Sequence, residues 1–247
     1  MPDRKKADIL GCGIDLLNVD ETMERINYLI ESGTAEQVIT LNAEIAYTAR
    51  QDRQLQTIIN SASLVTPDGI GIVWAGRLMG YEIKDRITGI DLIHKVSEKA
   101  VNQGWKIYLL GAAPGMADKA ARNLSGLYPG LQIAGSDHGY HRQEDMEEVI
   151  NCINLVRPDI LLVALGAPRQ EFWINNYKDR LDVPVCIGVG GSFDVIAGVK
   201  KRAPDYFIKL NLEWLYRLLS EPARIKRQAV LPLFVLQVLK SKYLSTK

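Results

Sequence analysis

The fold is indicated most clearly by residues 160–170, where the sequence reads ILLVALGAPRQ. A short, uninterrupted apolar run is typical of a strand that is buried on both faces of a parallel sheet. Here the run ends at a glycine-containing loop, and a helical stretch follows. Similar units alternate between Ile9 and Val189. The chain is therefore expected to adopt an α/β fold, with a mostly parallel sheet covered by helices on both faces.

The positions of the elements follow from this alternation. Short apolar runs predict strands over residues 9–12, 37–41, 64–65, 106–110, 131–134, 160–165 and 185–189. The longer amphipathic stretches predict helices over residues 20–31, 43–50, 53–60, 69–79, 89–103, 116–127, 143–156 and 170–177.

Formal charge is divided unevenly along the chain. Residues 1–195 contain 19 Lys and Arg against 26 Asp and Glu, whereas residues 196–247 contain 11 against 3. The basic part also has an apolar run over 229–239 and apolar side chains at helical spacing: Phe207, Leu210, Trp214, Leu215, Leu218 and Leu219. Basic amphipathic ends of this kind lie on anionic membrane surfaces. We therefore expect a sheet domain over 1–195 and a helical membrane-binding appendage over 196–247.

The membrane contact is expected to be peripheral. The 229–239 run is interrupted by Pro232 and Gln237 and is far shorter than the ~20 apolar residues that span a bilayer. No secretory signal is expected, because the apolar stretch after residues 1–8 is short and contains Gly11 and Gly13. The three scattered cysteines suit buried thiols in a reducing compartment. We expect a cytoplasmic protein on the inner face of the cell membrane. Away from lipid, a homo-oligomer, dimer or trimer, should cover the apolar face of the appendage. No nucleic-acid partner is expected.

In a sheet of this type, ligands bind beyond the carboxyl ends of the strands. Polar or glycine-rich segments follow five of the predicted strands, at Asn42, 66–69, 111–115, 166–170 and 190–194. Glycines let the backbone approach a ligand, and the helix behind each loop directs free N–H groups at an anion. Converging loops of this kind predict a phosphate-binding cleft.

Several residues in these loops have two interpretations. Asp68 precedes a predicted helix, so it is either an N-cap or a general base at the mouth of the cleft. Thr40 and Asn42 either hydrogen-bond a sugar or cap the next helix. Gly111 belongs either to a tight turn or to a phosphate loop, and Asp194 either caps a helix or reaches a ribose hydroxyl.

The aromatic and cationic residues have two interpretations as well. Tyr140 either packs or stacks on a base, and Arg86 lies in a polar stretch typical of a solvated surface. In the appendage, Arg217, Arg224 and Arg227 bind either phosphate or the membrane surface. No Asp-x-Asp triplet occurs and the histidines lack metal-ligand spacing, so neither a metal nor another cofactor is expected. If the ligand is a diphosphate, fixed cations or helix N-termini must take the place of a divalent metal.

Taken together, the motifs resemble a known family. The sequence has TLN at 40–42, TPDG at 66–69, GAPRQE at 166–171, GVGGSFD at 188–194, RAP at 202–204, LEWLYRL at 212–218 and EPAR at 221–224. This set is similar to the signature of the WecG/TagA/CpsF glycosyltransferases, and within that family most similar to the TagA branch. The resemblance implies a Rossmann-like core and a metal-independent, inverting reaction. It also implies that N-acetylmannosamine moves from UDP to N-acetylglucosamine on undecaprenyl diphosphate in a β-1,4 linkage, in wall teichoic acid assembly.

The resemblance also implies roles for individual residues. Asp68 is implied as the base, Thr40 and Asn42 as sugar contacts, and Gln170 as a residue that positions donor or acceptor. Those implied to face the diphosphate are Arg86, Arg217, Arg224 and Arg227. Those expected at the uridine end are Gly111, Tyr140 and Asp194.

Three alternatives stay open. Within the family, a WecG-like enzyme transfers N-acetylmannosaminuronic acid or another hexose to a polyprenyl-linked acceptor. A non-catalytic, nucleotide-binding membrane scaffold explains the appendage but not the polar strand-end loops. A nucleotide-dependent oxidoreductase is disfavoured, because the Gly11-Cys12-Gly13 segment does not continue as GxGxxG.

Overall fold

The computed structural model describes residues 5–221 and 229–245. The strands are β1 Lys6–Ile9, β2 Cys12–Asp15, β3 Glu36–Leu41, β4 Leu64–Pro67, β5 Lys106–Gly111, β6 Gln132–Asp137, β7 Ile160–Ala164 and β8 Val185–Gly188. The helices are α1 Val19–Ser32, α2 Ala43–Gln51, α3 Arg53–Ser61, α4 Ile70–Leu78, α5 Gly89–Gln103, α6 Met116–Leu127, α7 Met146–Val156, α8 Arg169–Tyr177, α9 Ser192–Ile196, α10 Asp205–Lys209, α11 Glu213–Ser220 and α12 Val230–Ser245. Short 3₁₀ turns at Gln143–Asp145 and Lys178–Arg180 precede α7 and follow α8.

Six strands form the main sheet in the order β4-β3-β8-β7-β5-β6, and every neighbouring pair is parallel. The predicted α/β fold is therefore confirmed. The connection from β5 runs outward to β6, whereas the connection from β7 runs the other way to β8. Because crevices for ligands open where the strand order reverses, this topology directs attention to the loops after β5 and β7.

The strands are buried on both faces, as their uninterrupted apolar sequences predict. On β7, Ile160 and Leu162 pack into a hydrophobic cluster with α1, α5 and α6. Leu161 and Val163, which point to the opposite face, pack with α7 and α8. On that second face, β3 and β4 pack against α2, α3 and α4. Helices therefore cover both faces of the sheet.

One predicted element is wrong. Residues 9–12 are not a strand of the main sheet, because they form the turn between β1 and β2, which pair as a separate antiparallel hairpin. Leu10 and Gly11 have φ values of 57° and 87°, and Asp8 Oδ1 accepts a hydrogen bond from the Gly11 N–H at 2.7 Å. Positive φ at both central residues is what a type I′ two-residue hairpin turn requires.

The C-terminal helices are not all separate from the sheet domain. In α12, Phe234 and Val238 are 1% and 0% exposed and lie in the cluster that contains α2 and α4. Helices α10 and α11 contact each other, with the rings of Phe207 and Tyr216 centred 5.4 Å apart. The division of the chain at residue 195 stays a prediction. The core of the sheet domain includes side chains that follow residue 195, among them Phe234 and Val238.

Two further expectations concern membrane crossing and the burial of the cysteine thiols. None of the helices within 5–221 and 229–245 is long and apolar enough to cross a bilayer. Cys12 and Cys186 are buried, but Cys152 is exposed on α7. The expectation of three buried thiols is therefore wrong for Cys152, which lies off the apolar stripe by which α7 packs on the sheet.

Candidate active site

A cleft of about 520 Å³ opens beyond the carboxyl ends of β3, β4, β5, β7 and β8. Six of the residues selected from the sequence line it: Thr40, Asn42, Asp68, Tyr140, Gln170 and Asp194. The cleft includes the loops after β5 and β7, where the sheet topology favours a ligand site. The fold thus brings these six residues together, and their individual roles stay predictions.

Asp68 follows β4 at the end of the strand pair β3 and β4. Leu41 and Pro67 are register partners on these strands, and the Asp68 N–H donates to Leu41 O at 2.8 Å, so Asn42 and Asp68 come side by side. The N-cap of α4 is Gly69, whose φ of 88° suits glycine. The N-cap interpretation of Asp68 is therefore wrong. Its half-buried side chain borders the cleft instead.

The side chains of Thr40 and Asn42 also form hydrogen bonds within the protein. Asn42 Oδ1 accepts a hydrogen bond from the Ile45 N–H at 3.0 Å and so caps α2. Thr40 Oγ1 donates to Gly188 O on β8 at 2.9 Å. The capping interpretation of Asn42 is confirmed. Because capping uses the amide oxygen, the NH₂ group of Asn42 is the part chemically suited to donate to a ligand.

Gln170 is almost fully buried and joins α8 to the loop after β8. Its Oε1 accepts from the Gly190 N–H at 2.9 Å, and its Nε2 donates to Glu171 Oε1 at 2.9 Å. Burial raises the pKa of Glu171 to about 7, although hydrogen bonds from Gln170 and from its own backbone oppose the shift. Each polar end of the Gln170 amide therefore has a partner within the protein.

Gly111 has a packing explanation. It lies at the end of β5 with φ of 135°, and a Cβ there would lie 2.5 Å from the carbonyl group of Ala164 on β7. Only glycine fits this conformation and this close approach. Gly111 thus allows the turn that leads into Ala112 and Ala113, which do line the cleft.

Tyr140 and Asp194 lie at the edges of the cleft. The Tyr140 side chain is 69% exposed, which leaves its ring face accessible, and its N–H donates to His138 Nδ1 at 3.2 Å. Asp194 Oδ2 lies 2.8 Å from Lys200 Nζ. The N-cap of α9 is Gly191 rather than Asp194, so the capping interpretation of Asp194 is wrong and its carboxylate pairs with a cation at the cleft.

The arginines that the resemblance places at a diphosphate are not gathered here among the described residues. Arg86 lines a neighbouring groove, with its Nη1 3.7 Å from Glu213 Oε2 on α11. Arg217 belongs to α11, and its side chain lies outside what the structure describes, as do Arg224 and Arg227. The described cations that line the cleft are Arg169, Lys200 and Lys201.

Sequence reasoning missed Arg169 and Lys200. Arg169 Nη2 donates to Gly139 O at 3.0 Å, which ties α8 to the loop after β6. Lys200 Nζ lies 2.8 Å from Asp194 and 3.3 Å from Glu221. Partial burial favours a lower pKa for Lys200, but the two carboxylates raise it above its ordinary value, so this lysine is charged. Arg169 could have been found from its place after the Gly166 loop, whereas nothing in the local sequence marks Lys200.

One cluster has the chemistry of a metal site. Asp137, His138 and His141 each present a ligand atom, and these atoms lie within 4.8 Å of one another, the one such group among the described residues. His141 Nε2 is 2.9 Å from Asp137 Oδ2, and the two imidazole rings stack 4.1 Å apart. The spacing in sequence did not indicate this cluster, because the turn after β6 brings the three side chains together.

The cleft is suited to transfer of a group away from an anionic leaving group. Asp68 supplies a carboxylate that can accept a proton. Arg169, Lys200 and Lys201 supply positive charge in the same cleft, and fixed charge of this sign stabilises negative charge that develops on a departing phosphate.

Comparison with known proteins decides the class. The model of the glycosyl transferase WecG/TagA/CpsF family matches residues 7–247. The chain belongs to this family. The matched range includes both the cleft residues and α12, so the WecG/TagA/CpsF glycosyltransferase sequence extends through the helices beyond the sheet.

Individual relatives agree with this assignment. A protein of Bacillus subtilis (strain 168) is 40% identical over 83% of this chain and 79% of its own length. A protein of Bacillus spizizenii is 39% identical over 85% and 81%, and one of Staphylococcus aureus (strain MW2) is 36% identical over 96% and 93%. All three are named N-acetylglucosaminyldiphosphoundecaprenol N-acetyl-beta-D-mannosaminyltransferase. The resemblance found in the motifs is confirmed, and the oxidoreductase and scaffold alternatives are set aside.

Proposed function

We propose that this glycosyltransferase moves N-acetylmannosamine from UDP-N-acetylmannosamine to N-acetylglucosaminyldiphosphoundecaprenol, forming a β-1,4 linkage in the synthesis of the wall teichoic acid linkage unit. Three relatives that match most of the chain have this reaction in their names. The structural observation that supports the proposal is the pairing of β3 with β4, which sets Asp68 beside Asn42 in a cleft that also holds Lys200.

In the proposed reaction, Asp68 accepts the proton of the acceptor hydroxyl. The hydroxyl oxygen then attacks the anomeric carbon of the donor sugar, and the bond from that carbon to the diphosphate breaks. UDP leaves with the electron pair, and the configuration of the anomeric carbon inverts. Arg169, Lys200 and Lys201 offset the negative charge that grows on the diphosphate, together with the arginines implied by the resemblance, Arg86, Arg217, Arg224 and Arg227.

The remaining cleft residues are proposed as substrate contacts. Thr40 and Asn42 hydrogen-bond the donor sugar, and Gln170 positions donor or acceptor. At the uridine end, the exposed ring of Tyr140 stacks on the base and Asp194 reaches the ribose. Gly111 contributes by shaping the loop rather than by a side chain.

The acceptor lipid requires that the enzyme work at a membrane surface, and the C-terminal helices suit this location. Large apolar side chains in α10, α11 and α12, and at the C-cap of α10, are exposed: Tyr206, Leu210, Trp214, Leu219, Leu233, Val235, Leu236, Tyr243 and Leu244. With the basic charge of residues 196–247, this surface supports peripheral binding to the inner face of the cell membrane. In the absence of lipid, association into a dimer or trimer would cover the same side chains.

A donor panel tests the proposed reaction. The full-length protein is incubated with a short-chain lipid diphosphate of N-acetylglucosamine and, separately, with UDP-N-acetylmannosamine, UDP-N-acetylmannosaminuronic acid and UDP-N-acetylglucosamine. Mass spectrometry of the lipid product is expected to show transfer from the first donor. A faster reaction with the uronic acid donor would assign the WecG-like alternative. If no donor gives a disaccharide, the proposed transfer is wrong.

A further inference from the structure

Glu171 is a buried acid beside the proposed active site. It lies in the first turn of α8 and is 1% exposed. Its Oε1 accepts the hydrogen bond from Gln170 Nε2 at 2.9 Å, whereas its buried Oε2 has no hydrogen-bond partner within residues 5–221 and 229–245. Burying a carboxylate that is only partly hydrogen-bonded costs free energy. A neutral apolar side chain would avoid this cost, so stability alone does not account for the acid.

Hydrogen bonding determines the orientation of the Gln170 amide. The Gly190 N–H can only donate, so the group that faces it must be the Gln170 oxygen. The NH₂ group of Gln170 therefore points the other way and needs an acceptor, and Glu171 Oε1 is that acceptor. The two hydrogen bonds are thus linked, because each requires the same orientation of one amide.

The same amide is packed tightly against the end of β8. A Cβ added at Gly188 would lie 2.7 Å from Gln170 Nε2, so the backbone of β8 passes directly over the Gln170 side chain. Gly188 O also accepts the hydrogen bond of Thr40 Oγ1. The Gln170 amide is therefore in contact with strand and loop residues that form one wall of the cleft.

We propose that Glu171 is a positioning residue: by accepting the Gln170 Nε2–H, it fixes the Gln170 amide with Oε1 toward Gly190 and so holds the loop over 188–191 in the shape that receives the sugar nucleotide. The proposal deepens the proposed function and rests on it for the identity of the ligand. The hydrogen-bond arrangement itself does not depend on which sugar is transferred.

The chemistry of a carboxylate explains why an acid occupies this position. The Glu171 carboxyl can present Oε1 to the Gln170 NH₂ group whether or not Oε2 carries a proton. Once ionised it has only acceptor atoms and opposes the flipped orientation, in which the Gln170 oxygen would face a carboxylate oxygen and the Gln170 NH₂ group would face the Gly190 N–H. A glutamine at 171 can present either an oxygen or an NH₂ group, so only the Gly190 N–H would then oppose the flipped orientation. A leucine would provide no acceptor and would leave the Gln170 NH₂ group unpaired.

A double-mutant cycle tests the proposal through steady-state kinetics. Glu171→Leu is expected to lower kcat/KM for the donor about tenfold, close to the loss caused by Gln170→Ala, and the double variant should lose no more than Gln170→Ala alone. Glu171→Gln is expected to recover activity to within about threefold of the wild-type value, since its oxygen can replace Oε1. Losses that multiply in the double variant, or full activity in Glu171→Leu, would overturn the proposal.

A matched control separates positioning from packing. Gln37 Nε2 donates to the backbone oxygen of Glu171 at 3.1 Å and is also buried against α8, but this hydrogen bond involves the backbone of α8 rather than the Gln170 amide. Like Glu171→Leu, Gln37→Leu removes a buried hydrogen bond of α8, but it is expected to change kcat/KM less than threefold. An equal loss of activity in both variants would assign the effect to general packing of α8 and overturn the proposal.

A readout without substrate distinguishes this proposal from the proposed function. Amide hydrogen exchange of the segment 186–195 reports the Gly190 N–H directly. Glu171→Leu is expected to speed exchange there about tenfold, while Glu171→Gln stays near the wild-type rate. If the protein fails to transfer N-acetylmannosamine but this pattern is seen, the reaction is wrong and the positioning role stands. Unchanged exchange in Glu171→Leu overturns the positioning role even if the transfer is correct.

Discussion

Arg86 of the sheet domain and Glu213 of α11 form an ion pair, with Nη1 and Oε2 3.7 Å apart and side chains 17% and 9% exposed. Because water reaches neither group freely, removal of one partner leaves the other poorly solvated. The pair matters for function because α11 also contains Arg217, one of the arginines implied to face the diphosphate. The position of α11 relative to the cleft therefore depends partly on Arg86.

Replacing Arg86 is expected to loosen α11. Arg86→Met should lower the free energy of unfolding by on the order of 3 kcal/mol and speed amide exchange over 213–220. The control is Lys84→Met, which breaks an exposed ion pair with Glu21 and should leave the free energy of unfolding nearly unchanged. Exchange over 213–220 that is the same in both variants would show that the ion pair does not hold the helix.

Asp68→Asn is expected to lower kcat by about two to four orders of magnitude with little change in the dissociation constant for UDP. The amide keeps the shape of the side chain but cannot accept the hydroxyl proton. Isothermal titration with UDP and turnover on the short-chain acceptor measure the two quantities. The matched control is Glu44→Gln, which removes another carboxylate that lines the cleft. If kcat falls equally in both variants, the loss is not specific to Asp68 and its role as base is contradicted.

Lys200 is expected to contact the diphosphate of the donor. Lys200→Met should weaken UDP binding about tenfold, with a smaller effect at high salt, because a partly exposed cation is screened. The matched control is Lys119→Met, a lysine on α6 that does not line the cleft. Titrations with UDP at low and high salt compare the variants. Unchanged affinity in Lys200→Met would exclude a phosphate contact.

Exposed apolar residues beyond residue 196 are expected to bind lipid. Leu236 on α12 is 61% exposed, and Leu127 on α6 is 62% exposed, so the two leucines differ in location rather than in accessibility. Leu236→Ser should reduce co-sedimentation with anionic vesicles about threefold or more, whereas Leu127→Ser should not. Turnover on the short-chain acceptor should be equal in both. Equal vesicle binding by the two variants would contradict a membrane contact at α12.

Glu171 is expected to make stability depend on pH. Burial raises the pKa of its carboxyl from 4.5 to about 7 in the folded protein. Between these values the unfolded chain has already lost the proton that the folded protein keeps, so this group lowers stability progressively as pH rises from about 4.5 to 7 and by a constant amount above. In Glu171→Gln this dependence is absent. The melting temperature of Glu171→Gln minus that of the wild type should therefore increase by a few degrees between about pH 4.5 and 7. A difference that does not change with pH would contradict the raised pKa of Glu171.

Local sequence was enough to predict most of the sheet. An apolar run such as 160–165 is followed by glycine and then by a helical pattern, and these features are short-range consequences of strand burial and loop geometry. The same reasoning failed at residues 9–12, because an apolar run does not reveal that Leu10 and Gly11 adopt positive φ. Only the pairing of β1 with β2 decides that conformation.

The cleft was predicted less completely. Loops after strands were found because parallel strands all end at one edge of the sheet, which placed Asp68 and Asn42 in the site. Lys200 was not found, because Asp194 and Glu221 come close to it only through the turn that the chain makes after α9. The placement of Arg86 against Glu213 likewise depends on where α11 packs, which no local pattern encodes.

The amino-acid sequence by itself determined the class of fold, the loops that form the cleft and, through its motifs, the enzyme family. These follow from periodicity and from glycine and polar residues at fixed distances along the chain. Tertiary structure alone decided that α12 buries Phe234 and Val238 in the core, that Gln170 and Glu171 share a hydrogen bond beneath the cleft, and which cations reach the site. The physical reason is that burial, hydrogen bonding and charge pairing depend on separation in space, which the chain sets only when distant segments pack together.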